Sequence, residues 1–274
     1  MQLGISTASY FNKRYVEDAV TDIARHGVPL CEIFLNTFSE YGWDFAKRLK
    51  QRVDDAGISV YSVHPMSTQF EPQLFSVLDR QLSDARDLFE KVLALGQLLG
   101  ATHYVMHGPP RLAGAAKNIQ IERIAPLIVE YAALSRQYGI QLLLENVSYC
   151  VFSSPEYARE LIARIPPDTL RFTLDIKQAL RSGFDPLDYL DAMRGALGNV
   201  HLCGASKRPD GTYALAMPGR DGYDFAGLFS AIQETGYTGP AFIEVYSDMY
   251  QTSDELYDSY RYLRALLSAP RVSP

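Results

Sequence analysis

Cysteine is scarce in this chain, with Cys31, Cys150 and Cys203 the only three. Their odd number and their spacing match neither a disulfide framework, a thiolate metal site nor a redox pair. All three fall in or near expected strands, where they read as reduced core thiols of a cytoplasmic protein. Positive charge is short too: 26 basic residues face 32 acidic ones, giving a net charge of -6. That balance lacks the basic footprint of a nucleic-acid binder and favours small-molecule partners. No apolar run approaches the roughly 20 residues needed to cross a bilayer, and Met1 to Ser6 starts a strand at once, without a basic leader. No Pro/Gly/Ser-rich linker or shift in composition divides the 274 residues. The expectation is one cytoplasmic domain over residues 1–274, with neither a membrane nor a nucleic acid as partner.

What the sequence does contain is a regular alternation of short apolar runs and helical stretches. The run Gly139-Ile140-Gln141-Leu142-Leu143-Leu144-Glu145-Asn146 organises the reading. It follows a helix-stopping glycine and is short and aliphatic, as a strand covered on both faces is. Leu142 and Leu144 share one parity and Leu143 and Glu145 the other, so the acid emerges at the carboxyl end, where parallel α/β folds place their sites. Strands are expected at 3–6, 30–35, 58–64, 102–107, 139–146, 170–175, 199–203 and 240–245. Gly27, Gly57 and Gly100 stop the early helices, and Ser154-Pro155, Asp185-Pro186 and Asp224 start later ones. Residues 204–222 read as a polar loop. Eight strand–helix units predict an α/β fold, a single (β/α)8 TIM barrel, for which about 250 residues is typical. The tail 269–274 is expected to fray.

Four strand ends carry one ligand-type residue each: Glu145, Asp175, His201 and Glu244. Three carboxylates and an imidazole make an oxygen-rich set suited to Mn²⁺, Mg²⁺ or another divalent ion. The competing reading is a ring of mutually paired polar groups. No basic residue has the strand position and parity to neutralise three carboxylates except Arg171, one layer lower, so a cation is the more economical explanation. His64 and His107 end neighbouring strands and are further candidates, as is Glu32 on the second strand. Lys177, Lys207 and Arg220 either take a phosphate group or are solvated.

In this order the motifs Leu-Glu-Asn at Glu145, Leu-Asp-Ile at Asp175, Val-His-Leu at His201, Pro-Gly-x-Asp-Gly-x-Asp-Phe ending at Phe225 and Phe-Ile-Glu-Val at Glu244 resemble a known family. It is the xylose-isomerase-like barrel superfamily, in particular the sugar (phosphate) isomerases and epimerases related to ketose 3-epimerases. The resemblance implies that Glu145, Asp175, His201 and Glu244 hold one divalent metal (Mn, Mg, Co or Zn), with no organic cofactor. It implies that Glu145 and Glu244 are also the acid/base pair, and that Gln178 and Lys207 stand at substrate-contact positions; His64 and His107 match positions that hold a further metal in the apurinic-endonuclease branch. His64, His107, Gln178, Lys177, Lys207 and Glu32 are together expected to contact a carbohydrate substrate. Gln178 stands where the epimerases have a histidine. The apurinic-endonuclease branch of the superfamily has Asp-x-x-His where this chain reads Asp175-Ile176-Lys177-Gln178, and an Asp-x-His pair after the seventh strand that is missing here. The expected activity is a sugar or sugar-phosphate isomerase or epimerase. A keto-polyol dehydratase and a non-catalytic sugar-binding barrel stay open, as does a homo-oligomeric state.

Overall fold

The computed structural model describes residues 1–111, 121–220 and 222–268. Eight parallel strands close into a barrel: β1 (Leu3–Ser6), β2 (Leu30–Leu35), β3 (Ser59–Pro65), β4 (His103–Met106), β5 (Gln141–Glu145), β6 (Arg171–Asp175), β7 (Leu197–Leu202) and β10 (Ala241–Ile243), which returns to β1. Around them lie α1 (Val16–Arg25), α2 (Trp43–Ala56), α3 (Asp79–Leu99), α4 (Ile121–Gln137), α5 (Pro155–Ile162), α7 (Pro186–Ala192), α8 (Phe225–Glu234) and α9 (Ser253–Ser268). This is the (β/α)8 architecture expected from the alternation. Gly57 and Gly100 end α2 and α3 in the left-handed conformation that a side chain resists. No described helix is long and apolar enough to cross a membrane. The expected helix start near Asn118 and the tail 269–274 lie outside the described residues.

Two elements depart from the sequence reading. A short helix, α6 (Ile176–Arg181), follows β6 with no loop between them, because Asp175 ends the strand and also caps the helix through Gln178 N–H, 2.8 Å from its Oδ1. The segment read as a polar loop contains an antiparallel hairpin, β8 (Gly204–Lys207) with β9 (Tyr213–Ala216). Its strands are half-buried and flank the turn-forming run Arg208-Pro209-Asp210-Gly211, so the polar turn dominates the pattern.

The inside of the barrel is layered. Phe242 and Leu143 fill the lower part, where Gly4 and Gly198 leave room for them. Above this the polarity changes, and it does so through two irregularities in register. In β3 the pairing passes from Val60 to Ser62, skipping Tyr61; in β7 it passes from Leu197 to Asn199, skipping Gly198. Each extra residue reverses the alternation of the strand beyond it. Val60 and Leu197 therefore stay in the apolar core, while Ser62 and His64, and Asn199 and His201, turn into the barrel. The two skipped residues meet at the bottom, where Tyr61 donates to Gly198 O at 2.6 Å.

A Cβ on Gly198 would lie 2.6 Å from Leu143 Cδ2 and 2.7 Å from Arg171 Cβ. Gly198→Ala should therefore cost about 1–3 kcal/mol through overpacking. Urea denaturation checks this, and an unchanged midpoint would contradict the close packing described.

Candidate metal centre

The upper layer is built from strand ends. Glu145 and Asp175 end β5 and β6, His201 lies on β7, and Glu244 follows β10 directly. Asn146 ties the first two ends together: its amide donates to Asp175 O at 2.9 Å and accepts from Asp175 N at 2.7 Å. Glu145, Asp175, His201 and Glu244 are all buried, and one potential ligand atom from each lies within 4.8 Å of the others. His201 Nδ1 is the common neighbour, 3.0 Å from Glu244 Oε2, 3.6 Å from Asp175 Oδ2 and 3.7 Å from Glu145 Oε2.

Glu145 Oε2, His201 Nδ1 and Glu244 Oε2 are buried and have no hydrogen-bond partner within the protein. Leaving such atoms unsatisfied costs about 1–3 kcal/mol each, more for charged groups. Three orphaned donor atoms facing one another fit a divalent cation, and three oxygens with one nitrogen suit Mn²⁺, Mg²⁺ or Zn²⁺.

Glu32 lies beneath this set and is fully buried. Its carboxylate accepts from Ser6 Oγ (3.0 Å), Ser62 Oγ (2.7 Å) and Asn199 Nδ2 (3.2 Å), and sits 3.4 Å from His64 Nδ1 and 3.2 Å from His201 Nε2. Burial alone would raise the Glu32 carboxyl, but the two imidazoles, His201 first, hold it well below the usual range. Burial by itself would lower His201, and Glu244, Glu32 and Glu145 together raise it well above its ordinary value. With Glu32 and Asn199 beside Nε2, the ring is held so that Nδ1 faces the three other acids. Glu32 thus meets the histidines from below rather than facing the mouth.

His64, His107 and Glu145 form a second buried or half-buried group. The two Nε2 atoms are 2.8 Å apart, and His107 Nε2 is 3.3 Å from Glu145 Oε2. Tyr149 OH meets His107 Nδ1 at 3.0 Å and Ser67 Oγ at 3.3 Å. Phe34 packs edge-on against the His64 ring.

The strand ends were expected to offer no basic residue but Arg171 to neutralise the carboxylates; the counter-charge comes instead from a helix. Lys177, on α6, folds back to pair with Asp175 Oδ2 and, at 2.6 Å, with Glu244 Oε1. It is 3 % exposed, so it is an internal counter-charge and not a solvated loop residue. Burial would lower the Lys177 ammonium, yet Asp175 and Glu244 raise it well above its usual value. Strand parity could not reveal this, because the side chain arrives from a helix that begins at the strand's last residue. Arg171 is taken up at the other end of β6 by Asp168 and Gly195 O.

Gln178 Oε1 accepts from Ser148 N and Oγ at 3.2 and 2.8 Å, which fastens α6 to the loop after β5. Lys207 is exposed on the hairpin and lines a cavity of about 840 Å³ with Arg181, Arg208, Tyr213 and Tyr246. Arg220 pairs with Glu255 and Asp258 on α9. Four residues near the site went unread in the sequence: Ser62, Glu71, Tyr149 and Asn199. Ser62 and Asn199 stand two places before His64 and His201, so period-two spacing could have found them. Glu71 and Tyr149 lie in loops, where no such periodicity exists.

Glu71 is fully buried, accepts from Tyr104 OH and His107 N at 3.0 Å each, and is pushed up to about 7, mainly by burial. A carboxyl raised from 4.5 to about 7 on folding favours the folded state below about pH 4.5 and loses that contribution, about 3 kcal/mol, as the pH climbs to 7. Glu71→Gln has no such titration. From pH 5 to pH 8 the wild-type melting temperature should fall relative to that of the variant, and parallel calorimetric profiles would refute this account.

A family model for xylose isomerase-like TIM barrels matches residues 20–266. Among solved structures, a D-tagatose 3-epimerase-like protein superimposes with a TM-score of 0.80 at 18% identity, covering 97% of each chain. The D-psicose 3-epimerase of Clostridium cellulolyticum H10 gives 0.77 at 16% identity, covering 98% of this chain and 100% of the other. The IolI protein with a bound zinc atom gives 0.78 at 17% identity, covering 98% of each. At these identities the likeness is one of fold. No curated protein sequence matches the chain.

Proposed function

Since the chain belongs to the xylose isomerase-like TIM barrel family, we propose that it is a divalent-metal-dependent isomerase or epimerase of a small polyhydroxylated carbonyl compound, a sugar or sugar phosphate. The observation that carries this reading is the convergence of the orphaned Glu145 Oε2, His201 Nδ1 and Glu244 Oε2, with Asp175 beside them. Structural neighbours that are sugar epimerases, and one that holds zinc, support the choice of substrate class and of a metal. The reduced, buried Cys31, Cys150 and Cys203 suit a cytosolic setting.

In this proposal Glu145, Asp175, His201 and Glu244 hold the ion. When bound, a divalent ion there supplies Lewis acidity toward the substrate carbonyl and a neighbouring hydroxyl, which acidifies the adjacent C–H. One of Glu145 and Glu244 accepts that proton and the other returns one, so the configuration or the carbonyl position changes without redox chemistry. Glu32 orients His201 through Nε2. His64 and His107, with Tyr149 behind them, hydrogen-bond substrate hydroxyls, and Gln178 braces the loop that frames the mouth. Lys207 is left to whatever part of a substrate extends toward the hairpin.

Purified without chelator, the protein should carry about one Mn, Mg, Co or Zn per chain, as elemental analysis will show. Two ions per chain would instead assign His64 and His107 to a second metal. With the correct ketose in D₂O, solvent deuterium should appear at the carbon next to the carbonyl. Glu145→Gln and Glu244→Gln should each slow that exchange by about 10² to 10⁴-fold. Metal content must be measured beside the rate, since both residues are proposed ligands. Variants that keep both the ion and full activity would sink the two-carboxylate mechanism. The acidic charge balance and the missing Asp-x-x-His motif lead to one more expectation: an abasic DNA duplex stays intact, and catalytic nicking of it would overturn the sugar reading.

A further inference from the structure

Lys177 is unlike the other lysines in that both carboxylates it pairs with belong to the proposed ligand set. It takes Glu244 through Oε1 and so leaves Oε2 turned toward His201 Nδ1. Asp175 is used on both oxygens: Oδ1 receives the Gln178 N–H, and Oδ2 meets Lys177 and lies 3.6 Å from His201 Nδ1. The ring of Tyr246 lies over the ammonium, 5.9 Å from Nζ, and is shared with Arg181. Asp175, Glu145 and Glu244 carry three negative charges. One fixed ammonium leaves two, which is the charge of one divalent ion when His201 coordinates it as a neutral imidazole.

We infer that Lys177 is a resident cation of this centre, a positioning residue that holds Asp175 and Glu244 in ligand geometry before any metal arrives and weakens the grip on the metal that joins it. The inference rests on the ligand set proposed above. Without a counter-charge, three buried carboxylates repel one another and move apart or take up protons. An ammonium removes that strain while the site is metal-free, and it then repels a divalent ion placed among the same oxygens. The centre is therefore assembled in advance and exchanges its metal readily, so its loading follows the metal supply.

The test compares wild type, Lys177→Met and, as an exposed control, Lys47→Met, all stripped of metal and titrated with Mn²⁺ alone by calorimetry. Lys177→Met should bind Mn²⁺ at least about tenfold more tightly, melt lower than wild type when metal-free, and gain more stability from Mn²⁺. Lys47→Met should behave as wild type. Metal-free wild type should melt cooperatively, within about 10 °C of its loaded form, as expected for modest binding linkage. A Lys177→Met protein that folds only with Mn²⁺ also supports the inference. Wild type that takes one Mn²⁺ while folded Lys177→Met binds it equally or more weakly overturns the inference and leaves the ligand set standing. So does a wild type that requires metal to fold. If neither protein binds Mn²⁺ or another divalent ion, the ligand set itself fails and the inference fails with it.

Discussion

Four carboxylates, Glu32, Glu145, Asp175 and Glu244, share the inside of one barrel, and the arrangement above its apolar floor answers the repulsion among them. The protein does not relieve it by exposure, since all four are buried. It relieves it with cations and donors brought from separate elements: His64 from β3, His201 from β7 and Lys177 from α6. Three of them, Glu32, Glu145 and Glu244, are kept below their ordinary range in consequence, despite burial that pushes the other way. A site of this kind has little reorganisation left to undergo when charge develops in a reaction, which is the condition under which buried dipoles and ions act most strongly.

The compensation is uneven, and the unevenness separates the two glutamates proposed to move protons. Glu145 has two imidazoles, those of His107 and His201, as its main opposite charges. Glu244 has an ammonium on one oxygen and an imidazole beside the other. Two faces of one substrate would therefore meet carboxylates with different surroundings, one near a histidine pair and one locked to a lysine.

Much of this was legible in the sequence because the barrel is written as repeated apolar runs with a polar residue at the end of each. Glu145, Asp175, His201 and Glu244 could be aligned by that pattern alone, and the structure brings all four together. The pattern failed where a side chain does not belong to the strand whose end it serves. Lys177 reaches the carboxylates because Asp175 stops a strand and starts a helix in the same residue, a junction that leaves no loop to read. Glu71 supports His107 from a loop whose path is set by tertiary packing. The hairpin of β8 and β9 was hidden because half-exposed strands around a polar turn resemble an irregular loop.

The bulges at Tyr61 and Gly198 give the site the character of a reading frame. In a strictly alternating strand Val60 and His64 would face the same way, as would Leu197 and His201; one supernumerary residue in each strand puts the aliphatic outside and the imidazole inside. Deleting a single residue from either strand upstream of its histidine would leave every side-chain type in place and still swing the imidazole out among the helices. Insertions and deletions, which loops of this fold absorb readily, are thus barred from the first half of β3 and β7. Relatives in which these two strands differ by one residue in length must have moved the histidine or lost the centre.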